Sequence, residues 1–280
     1  IYDINAKQTT YDKIYNFDLN QYKTSLDDVF AALEESILKR CKNLNENFYL
    51  GLSSGYDSGA IAACLNKYNI KYTIYTIECR EDINTLIKRH KIHNGNKYYL
   101  KNNLKKFNDT KIFAKNYMEK YQYKNRNIDV SDDKGTIGVC IMSDHAKKNN
   151  IKICISGQGP DEIMSDYSID KKAVFGNSLT NTHTCFNGVF PKNLKDIFPW
   201  RNFFGNSQED YLMKEELANG LYSIEGRYPF LDVKFVQEFL NLSCEIKNKD
   251  YKYVLKKYME NENYPYIEKF KVGFTANHKL

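Results

Sequence analysis

Two short segments carry residues whose types and spacing suit one polyanionic ligand. The first, Ser53-Ser54-Gly55-Tyr56-Asp57-Ser58-Gly59, follows the apolar run Phe48-Tyr49-Leu50-Gly51-Leu52 and precedes Ile61, Cys64 and Leu65 at helical spacing. Small residues let a chain turn tightly and bring its backbone close to a ligand. The helix opening there offers unpaired N–H groups and the positive end of its dipole, a site for phosphate or pyrophosphate. Ser53 and Ser58 add hydroxyl donors. The spacing is not that of a Walker loop, since no Lys closes the turn. Ser, Gly and Asp also suit any plain strand-to-helix turn. The second segment, Ile155-Ser156-Gly157-Gln158-Gly159-Pro160-Asp161-Glu162, ends another apolar run at 151–155. In an open parallel sheet, ligands sit beyond the carboxyl ends of the strands, so two such loops can face one nucleotide. Asp161 fits that site, and equally the N-cap of a helix beginning after Pro160.

The elements around these loops alternate. Residues 25–42 form an amphipathic helix, with Ser25 as N-cap, Asp27 and Asp28 in the first turn, and Phe30, Leu33, Ile37 and Leu38 on one face. Strands are expected at 48–52, 72–77, 98–100 and 151–155, with helices from Asp57 and near 82–93, 110–121 and 134–149. Beyond about residue 170 the strand signal fades. Helices are expected at 207–221, 233–240 and 251–260, and 173–206 reads as a long irregular loop or lid. The fold class is α/β, a parallel Rossmann-like sheet with helices on both faces, followed by a mainly helical C-terminal part. Residues 1–24 are a lead-in segment or linker packed on the rest of the chain, and 25–280 are one domain.

Composition narrows the class. Hydrophobic residues at 42% with 27% charged fit a soluble globular chain, and no run is long and apolar enough to span a membrane. The seven cysteines are scattered without a C-x-x-C pair, which favours reduced thiols in a cytoplasm-like compartment. A net charge of +6 suits a polyanionic nucleotide and does not demand nucleic acid. His90 and His93 sit three apart on an expected helix, yet no nearby carboxylate or thiol completes a ligand set, so a polar helix face is the reading. Lys147-Lys148 and the basic stretch 101–106 read as solvated faces, and Trp200 as packing.

Four segments together resemble the synthetase domain of the asparagine synthetase family. Residues 53–58 resemble the S-G-G-x-D-S loop of the ATP-pyrophosphatase superfamily, with Ser54 in place of the middle glycine, and 156–162 resemble the family's S-G-E-G-x-D-E. Glu225-Gly226-Arg227-Tyr228-Pro229-Phe230-Leu231-Asp232 matches E-x-R-x-P-F-L-D, and Lys271-Val272-Gly273-Phe274 resembles K-x-G-F. The four occur in the family's order, from about residue 25 to 275. The resemblance implies an adenine nucleotide alpha-hydrolase-like fold, with ATP and Mg²⁺ as cofactors. It implies nucleotide contacts at Leu52, Ser53, Ser54, Gly55, Tyr56, Asp57, Ser58, Ile77, Ser156 and Gly157. Asp57 and Asp161 are the implied metal ligands, since magnesium takes one or two carboxylates beside substrate phosphates. Lys271 is the implied catalytic lysine, with Lys269 as its competitor. For Glu225, Arg227 and the Pro229-Phe230-Leu231 stretch, a supporting ion pair and an anchor for the helix opening at Asp232 are the expectation.

The implied chemistry is ATP-dependent activation of a carboxylate, aspartate or a related acid, as an acyl-adenylate, then amide formation with ammonia or an amine. Gln158 departs from the pattern. Asparagine-forming members carry Glu there, to help deprotonate ammonia, and relatives that close β-lactam rings carry Tyr. A neutral amide cannot accept that proton, and such help is typically worth roughly 10²–10⁴-fold. Gln158 and Glu162 join Lys271 as catalytic candidates, with Glu216 and Tyr167 as substitutes for the missing carboxylate. Ser165-Asp166 stands where the family has Gly-Gly, a second departure. The glutamine-hydrolysing half of these enzymes opens with a catalytic Cys, whereas this chain opens Ile1-Tyr2-Asp3. A glutaminase domain or subunit as ammonia source is therefore outside the fragment, lost, or supplied by another protein. A homo-oligomer is compatible with the reading, and no membrane partner is expected. The competing functions are a nucleotide-binding module that no longer catalyses and a tRNA-modifying pyrophosphatase-loop enzyme. The latter would want a basic appended domain or paired catalytic cysteines, which the chain does not show.

Overall fold

In the computed structural model the described residues are 15–41, 47–77, 81–101, 104–118, 133–165 and 189–267, together with two short antiparallel pairs, Tyr2–Asp3 with Gln8–Thr9 and Gln122–Tyr123 with Arg126–Asn127. Five strands form one parallel sheet: β1 (Phe48–Gly51), β2 (Thr73–Ile77), β3 (Lys97–Leu100), β4 (Ile153–Ile155) and β5 (Glu225–Arg227). Their order across the sheet is β3-β2-β1-β4-β5, every neighbour parallel. Leu50 of β1 stands opposite Ile74 of β2 on one side and Ile155 of β4 on the other. The chain therefore leaves β1 in one direction and returns to β4 on its other side, which creates a switch point between those two strands.

The helices are α1 (Asp27–Cys41), α2 (Tyr56–Lys67), α3 (Ile83–Ile92), α4 (Leu104–Met118), α5 (Lys134–Lys148), α6 (Pro160–Ile163), α7 (Arg201–Phe204), α8 (Ser207–Leu221), α9 (Val233–Asn241), α10 (Cys244–Lys247) and α11 (Tyr253–Asn261). Strand alternation divides the core in two. Phe48, Leu50, Ile74 and Ile155 point to the face covered by α1, α2, α9 and α11, where Leu33, Ile37, Ile61, Leu65, Phe235, Phe239 and Leu255 meet them. Tyr49, Tyr75 and Cys154 point to the opposite face, under Ala114, Ile137, Ile141 and Ala218 of α4, α5 and α8. Burying each large apolar side chain contributes about 1.5–3 kcal/mol, so both layers hold the strand ends rigidly.

The expected α/β class is the one observed. The fifth strand is a correction, because Glu225-Gly226-Arg227 has none of the β-branched or aromatic residues by which a strand is recognised. It forms because the backbone of β4 offers an open edge, and Ile155 pairs with Arg227 there. The helix expected near 110–121 begins six residues earlier, at Leu104. Of the stretch 173–206, residues 173–188 lie outside the described ones, and the rest holds a 3₁₀ turn at Leu194–Asp196 and α7 rather than continuous loop. His93 is buried rather than part of a polar face: its ring packs on Tyr72 and its Nε2 lies 3.1 Å from the Tyr72 carbonyl. Residues near the end of the stretch 1–24 lie against α9 and the turn after it. Lys23 bridges to Leu242, and the Asn241 side chain donates to Asn20 O at 2.9 Å. Among the described residues no helix is long and apolar enough to cross a membrane.

Candidate active site

The loops after β1 and β4 lie at the carboxyl ends of adjacent strands, over the switch point. They touch. A Cβ placed on Gly157 would stand 3.3 Å from the Asp57 Cβ and 3.4 Å from the Ser58 nitrogen, so glycine gives the two loops a close approach that a side chain would tighten. Leu52 extends β1, its N–H donating to Tyr75 O at 2.8 Å while its carbonyl accepts from the Thr76 hydroxyl. Ile77 ends β2 opposite Leu100 and is buried.

Within the first loop the hydroxyls build the turn. Ser53 Oγ and Ser58 Oγ are 2.8 Å apart, the Ser53 N–H donates to Ser58 Oγ at 3.1 Å, and the Gly55 N–H donates to Ser53 Oγ at 3.1 Å. Gly55 is the N-cap of α2 and supplies no side-chain cap to the start of that helix. The Ser54 N–H donates to the Glu81 carboxylate at 2.6 Å, and the Ser54 hydroxyl bonds the same oxygen. Ser54 Oγ also accepts from the Asp82 N–H at 3.1 Å. The serine that replaces the motif's glycine thus fastens the loop to the start of α3. The contact also tests the donor set: this loop holds an oxyanion.

Beneath the loop lies Arg89, fully buried. Its Nη1 donates to Ser53 O at 2.5 Å and Gly55 O at 2.9 Å, its Nε donates to Pro265 O at 2.9 Å, and its guanidinium covers the Tyr264 ring. Occupying those carbonyls from below fixes the loop and places a positive charge under it. Tyr56 ties the other flank, donating to Ile267 O at 2.8 Å.

Asp57 and Asp161 converge on one cation. Lys252 Nζ lies 2.5 Å from Asp57 Oδ1 and 2.9 Å from Asp161 Oδ1, with its side chain 1% exposed. Tyr251 donates its hydroxyl to the same Asp161 oxygen at 2.8 Å. Burial pulls the Lys252 ammonium down, but Asp161 and Asp57 outweigh it and hold the group above its ordinary value. Lys252 adopts a left-handed backbone, φ 45° and ψ 44°, just before α11. Among the described residues, four of the six non-glycine positions with positive φ are asparagines, which tolerate it, and Lys252 is the only long side chain of the six. Such conformations cost roughly 1–3 kcal/mol and gather where function requires them. Asp161 is therefore no N-cap: Gly159 holds that position, and Asp161 lies inside α6.

The second loop has a different lining. The Gln158 N–H donates to Ser156 Oγ at 3.2 Å, and burial pushes the carboxyl of nearby Glu215 on α8 up to about 7. Glu162 is 1% exposed, its backbone carbonyl accepting from Trp200 Nε1 at 2.7 Å. Glu216 is exposed and lies by Gly226 and Tyr228, where a Cβ on Gly226 would meet its Oε1 at 2.9 Å. Glu225 and Arg227 form an ion pair at 2.8 Å, and Asp232 caps α9. Lys269, Lys271, Tyr167 and Asp166 fall outside the described residues.

Of the expected site residues, Ser53 to Ser58, Ser156, Gly157, Gln158 and Asp161 come together at this one place, and Glu162 lies behind it. Lys252, Arg89 and Glu215 were missed. No periodicity or motif marks Lys252 among 41 Lys and Arg residues. Glu215 had a signal: it lies three and four residues before Ala218 and Asn219 on the buried face of its helix, whereas Glu216 points out.

A parallel sheet of this order, with two polar loops meeting over its switch point, defines a doubly wound α/β protein. The chain belongs to the asparagine synthase family, whose family model matches residues 29–202 and 200–278. It is 25% identical over 260 residues to the glutamine-hydrolysing asparagine synthetase of Gallus gallus, covering 88% of this chain and 41% of that protein. To asparagine synthetase 1 of Lotus japonicus it is 28% identical over 158 residues, covering 54% of this chain and 24% of that protein. The chain thus spans about two fifths or less of these relatives. A solved NMN synthetase from Francisella tularensis aligns over 90% of this chain and 100% of that one, with 14% identity and a TM-score of 0.35.

Proposed function

We propose that residues 25–280 form an ATP-dependent ligase domain that activates a carboxylate as an acyl-adenylate and passes it to ammonia or an amine. The observation that carries this reading is the sharing of one buried ammonium, that of Lys252, by Asp57 and Asp161 from two different strand-end loops. Two aspartates and a lysine at the switch point, beside a loop whose Ser54 N–H and hydroxyl already hold a carboxylate, suit a triphosphate and its counter-ion.

In the first half-reaction a carboxylate oxygen attacks the α-phosphorus of ATP. The bond to the bridging oxygen breaks, and pyrophosphate leaves into the loop 53–58. The positive end of α2 and the Lys252 ammonium receive the charge that develops on the leaving group, the kind of preorganised stabilisation that contributes most to such steps. Asp57 and Asp161 would hold magnesium, whose chemistry is to neutralise phosphate oxygens. Lys271 joins this set by its motif. In the second half-reaction the amine nitrogen attacks the acyl carbon and AMP leaves. A glutaminase domain or subunit as source of ammonia belongs to the same proposal.

Exchange of radiolabelled pyrophosphate into ATP, screened across aspartate and other carboxylic acids, tests it. Exchange with one acid names the substrate and supports the ligase. ATP binding without exchange for any acid would leave a nucleotide-binding module in its place.

A further inference from the structure

The two aspartates implied as metal ligands are already bridged, and by a group of this chain. Lys252 Nζ lies 2.5 Å from Asp57 Oδ1 and 2.9 Å from Asp161 Oδ1, so one ammonium stands where a cation bridging those two oxygens would stand. The Tyr251 hydroxyl donates to the same Asp161 oxygen at 2.8 Å and holds that carboxylate in the orientation the ammonium uses.

The ammonium is built into the site. Its side chain is 1% exposed, against 23% and 24% for Asp57 and Asp161, so the lysine reaches the pair from the protein side and the carboxylates keep an exposed edge. Lys252 sits in the left-handed region as the N-cap of α11, and its carbonyl accepts from the Leu255 N–H at 2.9 Å and the Lys256 N–H at 3.2 Å. Nζ lies 5.4 Å from the centre of the Tyr251 ring, which in turn packs 5.9 Å from the Tyr56 ring at the start of α2.

Size and charge set the consequence. Magnesium holds carboxylate oxygens at about 2.0–2.1 Å. It cannot share both Oδ1 atoms with an ammonium already hydrogen-bonded to each, and two cations so close in a poorly solvated site repel strongly. One must give way. The lysine stem is flexible and carries a point charge that phosphate oxygens attract.

We propose that Lys252 is a resident counter-ion, which keeps divalent metal off the Asp57–Asp161 pair until a nucleotide arrives. The proposal rests on the ligase reading above. In the free protein the ammonium holds the two aspartates together against their own repulsion. Phosphate oxygens then draw it away, and the carboxylates it releases receive the metal that accompanies the nucleotide. Metal and nucleotide therefore enter together, and no covalent bond changes in the exchange.

The probe is Mn²⁺, titrated into the full chain without nucleotide and followed by loss of the free-ion EPR signal. The native protein is expected to form no saturable site at the pair. Lys252→Met should bind Mn²⁺ at least about tenfold more tightly than the native protein, because a buried positive charge has been taken from the pair. Adding Asp57→Asn to that variant should abolish the gain. Mg²⁺ should likewise raise the urea midpoint of Lys252→Met and leave the native midpoint where it was, since a ligand that binds only the folded state stabilises it. Where Lys252→Met does not fold, Lys252→Gln serves, and the native titration stands without any variant. A saturable native site that Asp57→Asn removes overturns the proposal, and so does a folded Lys252→Met or Lys252→Gln that binds Mn²⁺ no better than the native chain. None of these readouts needs turnover. A chain that exchanges no pyrophosphate with any acid loses the ligase reading and still reports the metal gain. One that exchanges pyrophosphate but binds Mn²⁺ at the pair without nucleotide keeps that reading and loses this proposal.

Discussion

The loops after β1 and β4 sit side by side at equivalent strand ends, yet their surroundings have opposite sign. Under the first lies Arg89, with Lys252 beside it. Behind the second lie Glu215 and Glu162, both buried. Backbone geometry alone makes either loop a plausible anion site. The buried charge one layer down is what separates them, cationic under the first loop and carboxylate behind the second.

Removing the cation shared by both loops should have the largest effect. Lys252→Met leaves two close carboxylates without a counter-charge, and breaking a buried pair costs about 3–5 kcal/mol. Pyrophosphate exchange should fall by roughly 10²–10³-fold, as for loss of a preorganised electrostatic group. Exchange near the native rate in a folded Lys252→Met would erase the contrast between the loops.

On the carboxylate side, the sign of the effect reverses. The Glu215 carboxyl is raised to about 7 from 4.5, so as pH rises through 4.5 the unfolded chain loses its proton first. Native stability therefore declines between these values and is level above the upper one. Glu215→Gln should abolish that decline, stabilising the protein at pH 8 by up to about 3 kcal/mol and leaving it near neutral in acid. Urea midpoints at both pH values check this, and a destabilised variant at pH 8 would mean that the carboxylate supports the fold.

A smaller loss is expected from Gly59→Ala. Its Cβ would meet Arg89 Nη2 at 2.4 Å and Met259 Sδ at 2.7 Å, both on fully buried side chains. Overpacking of this kind costs about 1–3 kcal/mol, seen as a lower urea midpoint. The smallest effect should come from Glu81→Gln, which weakens the carboxylate that occupies the Ser54 N–H and hydroxyl. Since phosphate competes for the same donors, ATP should bind up to about tenfold more tightly by calorimetry.

The sequence was most informative where pattern and chemistry coincide. β1 and β4 are continuous apolar runs ending in polar turns, and the rule that ligands gather at strand ends sufficed to bring Asp57 and Asp161 together. Glu225–Arg227 could not be read as a strand, since its ladder comes from β4 and not from its own side chains. Lys252 and Arg89 were hidden for a related reason. Each resembles any exposed basic residue until the fold buries it, and Lys252 meets Asp57 across a sequence separation of 195. Glu215 was nearer to view, because the helical phase of α8 separates it from Glu216.

Arg89 and Tyr56 grip opposite flanks of the first loop, and both also hold the backbone at 265–267. The stretch leading to the K-x-G-F motif is thereby a strut of the loop. Trimming the chain back to Tyr264 would slacken a turn about two hundred residues upstream without altering one of its atoms.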